Sequence, residues 1–388
     1  MEVESVIKAI KNGKIILKDK IILNKILIFD EKIIDIVDSC ERFGEIEEVD
    51  AKGCYISPGF IDIHIHGAGG ADTMDMDENS IDIISEYICK NGVTSFLPTT
   101  MTMSEERISN AFKNIRKYMN GEVSGAKILG AHMEGPFINS IFKGAQDERN
   151  IVKAEYSMIE ENIDVIKIIT IAPEVPGNME FIKEVKHKNN DVKFSIGHTN
   201  ATYEEAMNAI NVGVSSATHT FNAMTPLNHR KPGVVGAVMN SDVYCEVIAD
   251  TIHVHPAIYN ILGSIKGKDK MILITDAMRA ACLKCGEYDL GGQTVYVDDN
   301  SARLKDGTLA GSILKLNEAI KNMKDNTSYN INEIIKMVTI NPATLIGEQD
   351  KVGTIEIGKY ADLVIFDEDI EIRATVVNGD FKYKSNKF

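Results

Sequence analysis

Four histidines and three acids of this chain fall where they could share metal ions. His64 and His66 are separated by a single residue, Ile65. On a strand both side chains therefore project from one face and can reach one ion, which an adjacent pair could not do. Glu134, His198, His219, Asp250 and Asp276 each close a short apolar run further along the chain, and His198 and His219 lie 21 residues apart, the length of one strand and one helix. Imidazole nitrogen with carboxylate oxygen is the ligand set of Zn(II), Fe(II), Mn(II) or Co(II), one or two ions per subunit, and a carboxylate such as Glu134 can bridge two. A bound ion of this kind lowers the pKa of water from 15.7 toward about 7 and polarises a carbonyl. Amide hydrolysis then needs a group that takes the water's proton and returns it to the departing amine, and Asp276 is the candidate. Taken singly, each histidine is only a polar residue at a strand end. Recurring at matching strand ends, they converge as a ligand set.

Other polar residues read differently. His132 stands two before Glu134 and shares its face, which suits support of a ligand better than ligation. His187, in KEVKHKNN, is expected in solvent, and Asp72, Asp75 and Asp77 in ADTMDMDE are expected to cap a helix in solvent. Cys282 and Cys285 form a lone CxxC with no second pair, to which no purpose is assigned. A basic loop, THTFNAMTPLNHRKPG, carries Asn222, His229, Arg230 and Lys231, and His253 and His255 follow. Arginine with histidine and backbone N–H groups suits an anionic group such as phosphate, and a plain surface loop would look the same.

These residues need elements to carry them. Between about 58 and 346 short apolar runs alternate with amphipathic stretches, the pattern of parallel strands covered on both faces by helices. Eight runs occur: GFIDIHIH, VTSFLPT, AKILGAHME, IKIITIAPE, KFSIGH, GVSSATH, YCEVIAD and MILITD. Eight βα units predict an α/β fold, a (β/α)8 TIM barrel, in which all carboxyl ends of the strands face one mouth. A doubly wound open sheet is the alternative, but GAGGAD lacks the GxGxxG spacing. Helix-like spacing links Ile81, Ile84, Tyr87 and Ile88, and Asn200-Ala201-Thr202 precedes the helical Ala206 and Ile210 as a cap. Both ends of the chain read as strands: KIILKD, KILIFD and KIIDIVDS, then TIEIG, ADLVIFD, EIRATVVNGD and FKYK. They predict a small β-sandwich domain built from 1–57 with 347–388, around a barrel of 58–346.

The 388 residues carry 57 acids against 42 Lys and Arg, a net charge of −15. That balance argues against nucleic acid and anionic membrane as partners, because both need clustered positive charge. No run of about 18 apolar residues and no signal-like start occur, and six scattered cysteines suit a reducing compartment, so a cytoplasmic protein is expected.

The segment PGFIDIHIHG (58–67) resembles the amidohydrolase superfamily. Within it the chain is most similar to the N-acetylglucosamine-6-phosphate deacetylase family, through HMEGPF (132–137), KGAQ (143–146), SIGHTNA (195–201), THTFNAM (218–224), HRKPG (229–233), ADTIHVHP (249–256), LITDAM (273–278), LAGS (309–312), NPA (341–343) and GTIEIGKYADLV (353–364). These matches run from 58 to the C-terminus in the family's order. Many amidohydrolases bridge their metals with a carbamylated lysine from the fourth strand; this chain has none ending IKIITIAPE and has Glu134 on the third.

The resemblance implies that Glu134, His198 and His219 hold one divalent ion and that His64, His66, Glu134 and Asp276 hold a second. It implies that Asn222 and Ala223 contact substrate, that Arg230 and His253 meet its phosphate, and that Ala145, Leu309, Ala310 and Gly311 border the sugar. Gln146 stands where some members carry histidine. The implied reaction is hydrolysis of the acetamide of a small amino-sugar phosphate, N-acetylglucosamine 6-phosphate, in amino-sugar breakdown or cell-wall recycling. The implied assembly is a homodimer that shares phosphate contacts across subunits. The galactosamine epimer, another N-acyl or cyclic amide, and a non-catalytic scaffold are the competing readings.

Overall fold

The computed structural model describes residues 6–388. Its central sheet runs in chain order through Phe60–Ile65, Val93–Thr100, Ala131–Glu134, Ile166–Ile171, Lys193–Ile196, Val214–Ala217, Tyr244–Ile248 and Met271–Ile274, with Lys127–Ile128 beside the second strand. Neighbours pair in parallel throughout. The sheet closes on itself, since the Asp276 N–H donates to the His64 carbonyl at 2.9 Å and Ile65 bridges Ala277. These eight strands are the eight runs of the sequence, and they form a (β/α)8 barrel. Their continuous apolar character follows from burial on both faces, against side chains in the barrel and helices outside. Phe60–Ile65 and Val93–Thr100 are buried at every residue. The helices carry one apolar face each: Glu105–Met119 buries Ile108, Ala111, Phe112 and Ile115, spaced for one side of a helix. Tyr203–Asn211 starts at Thr202, whose side chain accepts the Glu205 N–H while the Glu205 carboxylate accepts the Thr202 N–H, a reciprocal cap.

Two further sheets come from the chain ends. One orders Ile33–Val37, Ile26–Phe29, Lys8–Lys11 and Glu47–Asp50; the other orders Asp380–Lys384, Ile372–Val377, Leu363–Phe366, Tyr55–Pro58, Lys14–Ile16 and Ile21–Ile22. A separate apolar core of Ile10, Leu27, Phe29, Ile56, Leu363 and Ile365 lies between them, giving a small sandwich. The strand Leu363–Phe366 is buried on both faces: Leu363 and Ile365 enter the sandwich core, whereas Val364 and Phe366 join the barrel's core. Alternation of side chains along a strand makes one element serve two cores.

Two local expectations fail. TIEIG (354–358) forms no strand. Gly353 and Gly358, at φ +90° and +89°, bend the chain at each end, and only Ile355 of its two isoleucines is buried. Asp72 is buried and not solvated, accepting the Met74 N–H at 2.9 Å and facing Arg279. Residues 286–303, on which the sequence carries no separate expectation, form a small antiparallel sheet of Gly286–Leu290, Gln293–Val297 and Ala302–Arg303 after the eighth strand.

Candidate active site

The carboxyl end of the first barrel strand presents His64 and His66, the third Glu134. His198, His219 and Asp276 lie just beyond the fifth, sixth and eighth. These last three take left-handed backbone, at φ +46°, +30° and +50°, as do Phe221 and Ala223 in the loop after His219. Non-glycine residues there carry on the order of 1–3 kcal/mol of strain each, held by the surrounding structure, and such strain concentrates at functional sites. Here the turn directs each side chain across the mouth.

Each of the four histidines gives its Nδ1 to an acceptor outside the centre. His66 meets the Thr99 carbonyl at 3.1 Å, His198 the Phe142 carbonyl at 2.9 Å and His219 the Asn222 carbonyl at 3.1 Å, and His64 meets Glu246 Oε2 at 3.0 Å. A carbonyl or carboxylate oxygen can only accept, so these contacts assign the proton to Nδ1 and turn the Nε2 lone pair inward. His198 Nε2 and His219 Nε2 are 3.1 Å apart and lie 3.2 and 3.1 Å from Glu134 Oε1. On the other side His66 Nε2 lies 3.4 Å from Glu134 Oε2 and 3.3 Å from Asp276 Oδ1, while His64 Nε2 lies 3.4 Å from Glu134 Oε1 and 3.6 Å from Asp276 Oδ1. Glu134 thus stands between two sets of donors. His64 Nε2 is fully buried with no hydrogen-bond partner. Lone pairs that face each other and carboxylate oxygens, away from water, need a shared cation, so the donor set fits a divalent metal.

The electrostatics agree. Burial alone would lower the pKa of His66, but the carboxylates of Asp276 and Glu134 outweigh it and hold it at about 10. They likewise raise His64 well above the usual value, and Glu134 raises His198. Burial opposes ionisation of Asp276, yet the His64 and His66 imidazoles hold it at about 2. Glu134 is held well below the ordinary range against burial, chiefly by His198 and His64. A field that draws protons onto imidazoles this strongly also draws a divalent cation.

His132 turns neither ring nitrogen toward Glu134 or Asp276. Its Nδ1 meets the Ile63 carbonyl at 2.9 Å and its Nε2 meets Thr170 Oγ1 at 2.7 Å, while burial and then His64 push its pKa down to about 4. It is a neutral ring packed beneath the centre, 4.6 Å from His64 between centroids. Asp250 binds His253 Nδ1 at 2.6 Å and accepts the N–H groups of Ile252 and His253, so it orients His253 and stands apart from the cluster around Glu134.

A cavity of about 310 Å³ opens over these groups, and its lining includes Ala145, Gln146, Asn222, Ala223, His253, Leu309 and Gly311 along with His66, Glu134, His198, His219 and Asp276. That volume suits a small ligand. Gln146 is a clamp: its Nε2 donates to Glu134 Oε2 at 2.6 Å and its Oε1 accepts the Thr102 N–H at 2.8 Å. Ala310 is buried behind the lining, its N–H donating to Ala302. Arg230 stands in an exposed loop and is not part of this lining. Cys282 and Cys285 border a second cleft and have different partners, Asn91 and Asp299.

Several contributors escaped the reading of the sequence. Met101 and Leu290 add apolar wall, Leu290 from the small antiparallel sheet. Asp62 accepts the N–H of His64 at 3.2 Å and the Thr275 hydroxyl at 2.6 Å. Glu246, the partner of His64, is a lone acid inside the apolar run YCEVI, and that anomaly was the available signal.

Comparison with known proteins places this arrangement. The model of the amidohydrolase family matches residues 55–386. The chain is 39% identical to an N-acetylglucosamine-6-phosphate deacetylase of Bacillus subtilis strain 168, over 97% of this chain and 98% of that protein. It is 33% identical to an N-acetylgalactosamine-6-phosphate deacetylase of Escherichia coli O157:H7, over 86% of this chain and 89% of that one. Among solved structures, the N-acetylglucosamine-6-phosphate deacetylase of Pasteurella multocida superposes with a TM-score of 0.92 at 34% identity, covering 98% of this chain and all of that one.

Proposed function

The chain belongs to the amidohydrolase family, and from that premise we propose that its barrel mouth hydrolyses the acetamide of N-acetyl-D-glucosamine 6-phosphate to D-glucosamine 6-phosphate and acetate. The observation that carries this reading is the buried cluster in which His64, His66, His198 and His219 turn Nε2 toward Glu134 and Asp276. Glu134, His198 and His219 would hold one divalent ion, and His64, His66, Glu134 and Asp276 a second, from among Zn, Fe, Mn and Co. Such an ion supplies an acidified water and a Lewis acid for the amide carbonyl. Gln146 fixes the orientation of Glu134 through its hydrogen bond to Oε2.

Asp276, ionised and beside the reacting centre, accepts the water's proton at its carboxylate and passes it to the amine as the carbon–nitrogen bond breaks. Asn222 and Ala223 present amide and backbone groups to the sugar, Ala145, Gln146 and the 309–311 segment border it, and His253, held by Asp250, faces the phosphate with Arg230. Arg230, outside the cavity lining of its own subunit, would meet that group across the interface of a homodimer. The same reading divides the chain into a catalytic unit, 58–346, and a sandwich unit, 1–57 with 347–388, and places it in the cytoplasm; the barrel and two terminal sheets, and a sequence with no long apolar run, support it.

The test is acetate release after chelation and metal add-back, with N-acetylglucosamine 6-phosphate, its galactosamine epimer and unphosphorylated N-acetylglucosamine compared. Metal-restored release from the first at the highest kcat/KM is expected. A higher kcat/KM on the epimer would move the assignment to the activity named for the Escherichia coli relative, and indifference to the phosphate would remove the role of His253 and Arg230.

A further inference from the structure

Glu246 lies in the seventh barrel strand, fully buried, and the proposed reaction gives it no task. Its Oε2 accepts from His64 Nδ1 at 3.0 Å and from the backbone N–H of His219 at 3.2 Å, so one carboxylate oxygen touches a residue from each side of the centre. Its Oε1 is buried with no hydrogen-bond partner. Among the described residues no Lys or Arg pairs with Glu246, Glu134 or Asp276. Asp62, a fourth buried acid nearby, is satisfied by Thr275 and by the His64 N–H.

A carboxylate in a barrel interior with no Lys or Arg partner costs several kcal/mol to desolvate unless another cation is near. A Gln, the same length, could hold the His64 ring as well, without that cost. A charge retained there therefore has work to do through the imidazole beyond holding it: it raises the ring's power to donate its Nε2 lone pair.

Resting on the reading of His64 as a metal ligand, we infer that Glu246 is a positioning residue, the carboxylate that orients and polarises His64 and so secures the ion on the His64–His66 side. The ion on the Glu134–His198–His219 side does not depend on its charge, because a glutamine at 246 keeps an oxygen for the His219 N–H.

The experiment titrates chelated full-length protein with Zn(II) and with Co(II), following stoichiometry by calorimetry and the visible spectrum of bound cobalt. Wild type, Glu246→Gln, His64→Asn and the double variant are compared, and thermal unfolding of each metal-free protein confirms the fold. Wild type is expected to take two equivalents. Glu246→Gln is expected to weaken the second about ten- to a hundredfold, with the cobalt band of the first unchanged. In the His64→Asn background Glu246→Gln should add nothing, since its effect travels through that ring. Two equivalents bound by Glu246→Gln with wild-type affinities would overturn the inference while leaving the metal reading intact. Binding in wild type that His64→Asn leaves unaltered would overturn the metal reading and this inference with it. If Glu246→Gln fails to fold, the same titration of Glu246→Asp, which draws the carboxylate back from the His64 ring by one methylene, decides: a second equivalent bound as in wild type overturns the inference.

Discussion

Asp276 illustrates how one residue serves two demands. Its oxygen lies within 3.3 Å of His66 Nε2 and 3.6 Å of His64 Nε2, so it can ligate, and its carboxylate lines the cavity, so it can also take a proton. Asp276→Asn keeps the size and one ligating oxygen but removes the base. We expect kcat to fall by about 10²–10⁴-fold, with the metal content of purified protein, read by atomic emission, close to wild type. Turnover within a few-fold of wild type would take the proton shuttle away from Asp276. At this scale the sequence was informative wherever chemistry and period coincided: His64 and His66 are visible because a strand repeats every two residues. Glu246 was not, because an acid inside an apolar run acquires meaning only when its neighbour across the barrel is known to be His64.

Among elements, the link between the fourth barrel strand and the chain's C-terminal segment is an ion pair. Lys167 Nζ lies 2.8 Å from Glu348 Oε1, and Lys351 Nζ lies 2.9 Å from Oε2. Burial tends to raise the Glu348 pKa, but the two ammonium groups outweigh it and hold the carboxyl below its ordinary value. A carboxyl depressed in the folded state contributes stability above its unfolded pKa of about 4.3, and that contribution is lost as pH falls through the depressed value. Glu348→Gln should therefore cost on the order of 1 kcal/mol at pH 7 in urea unfolding and nothing once the pH is below both values. A cost that persists undiminished in acid would show that packing, and not charge, is the link. Elements were legible in the sequence where one rule governed them, as in the eight buried runs and the Thr202 cap. TIEIG misled because its alternation mimics a strand, whereas left-handed glycines at 353 and 358 make it a turn.

Across the whole molecule, sandwich and barrel share a wall. Phe366 is fully buried in the six-stranded sheet and packs its ring 5.4 Å from Tyr55 and 6.0 Å from Phe60 of the first barrel strand. His64 and His66 stand a few residues further along that strand. Phe366→Ala should cost about 3–5 kcal/mol and lower a single calorimetric transition that includes both units. Two resolved transitions, with the barrel's unchanged, would show that the wall is not shared energetically.

The amino-acid sequence by itself determined the barrel and supplied candidates for its metal-competent residues, because both follow from local periodicity and residue chemistry. Tertiary structure alone decided which of those residues meet. It joined Glu246 to His64 over 182 positions of chain, set Gln146 against Glu134, gave Asp250 to His253, and left Arg230 in an exposed loop. The physical reason is that ligation and orientation depend on angles and separations of a few ångströms, which closure of the barrel fixes and spacing along the chain does not.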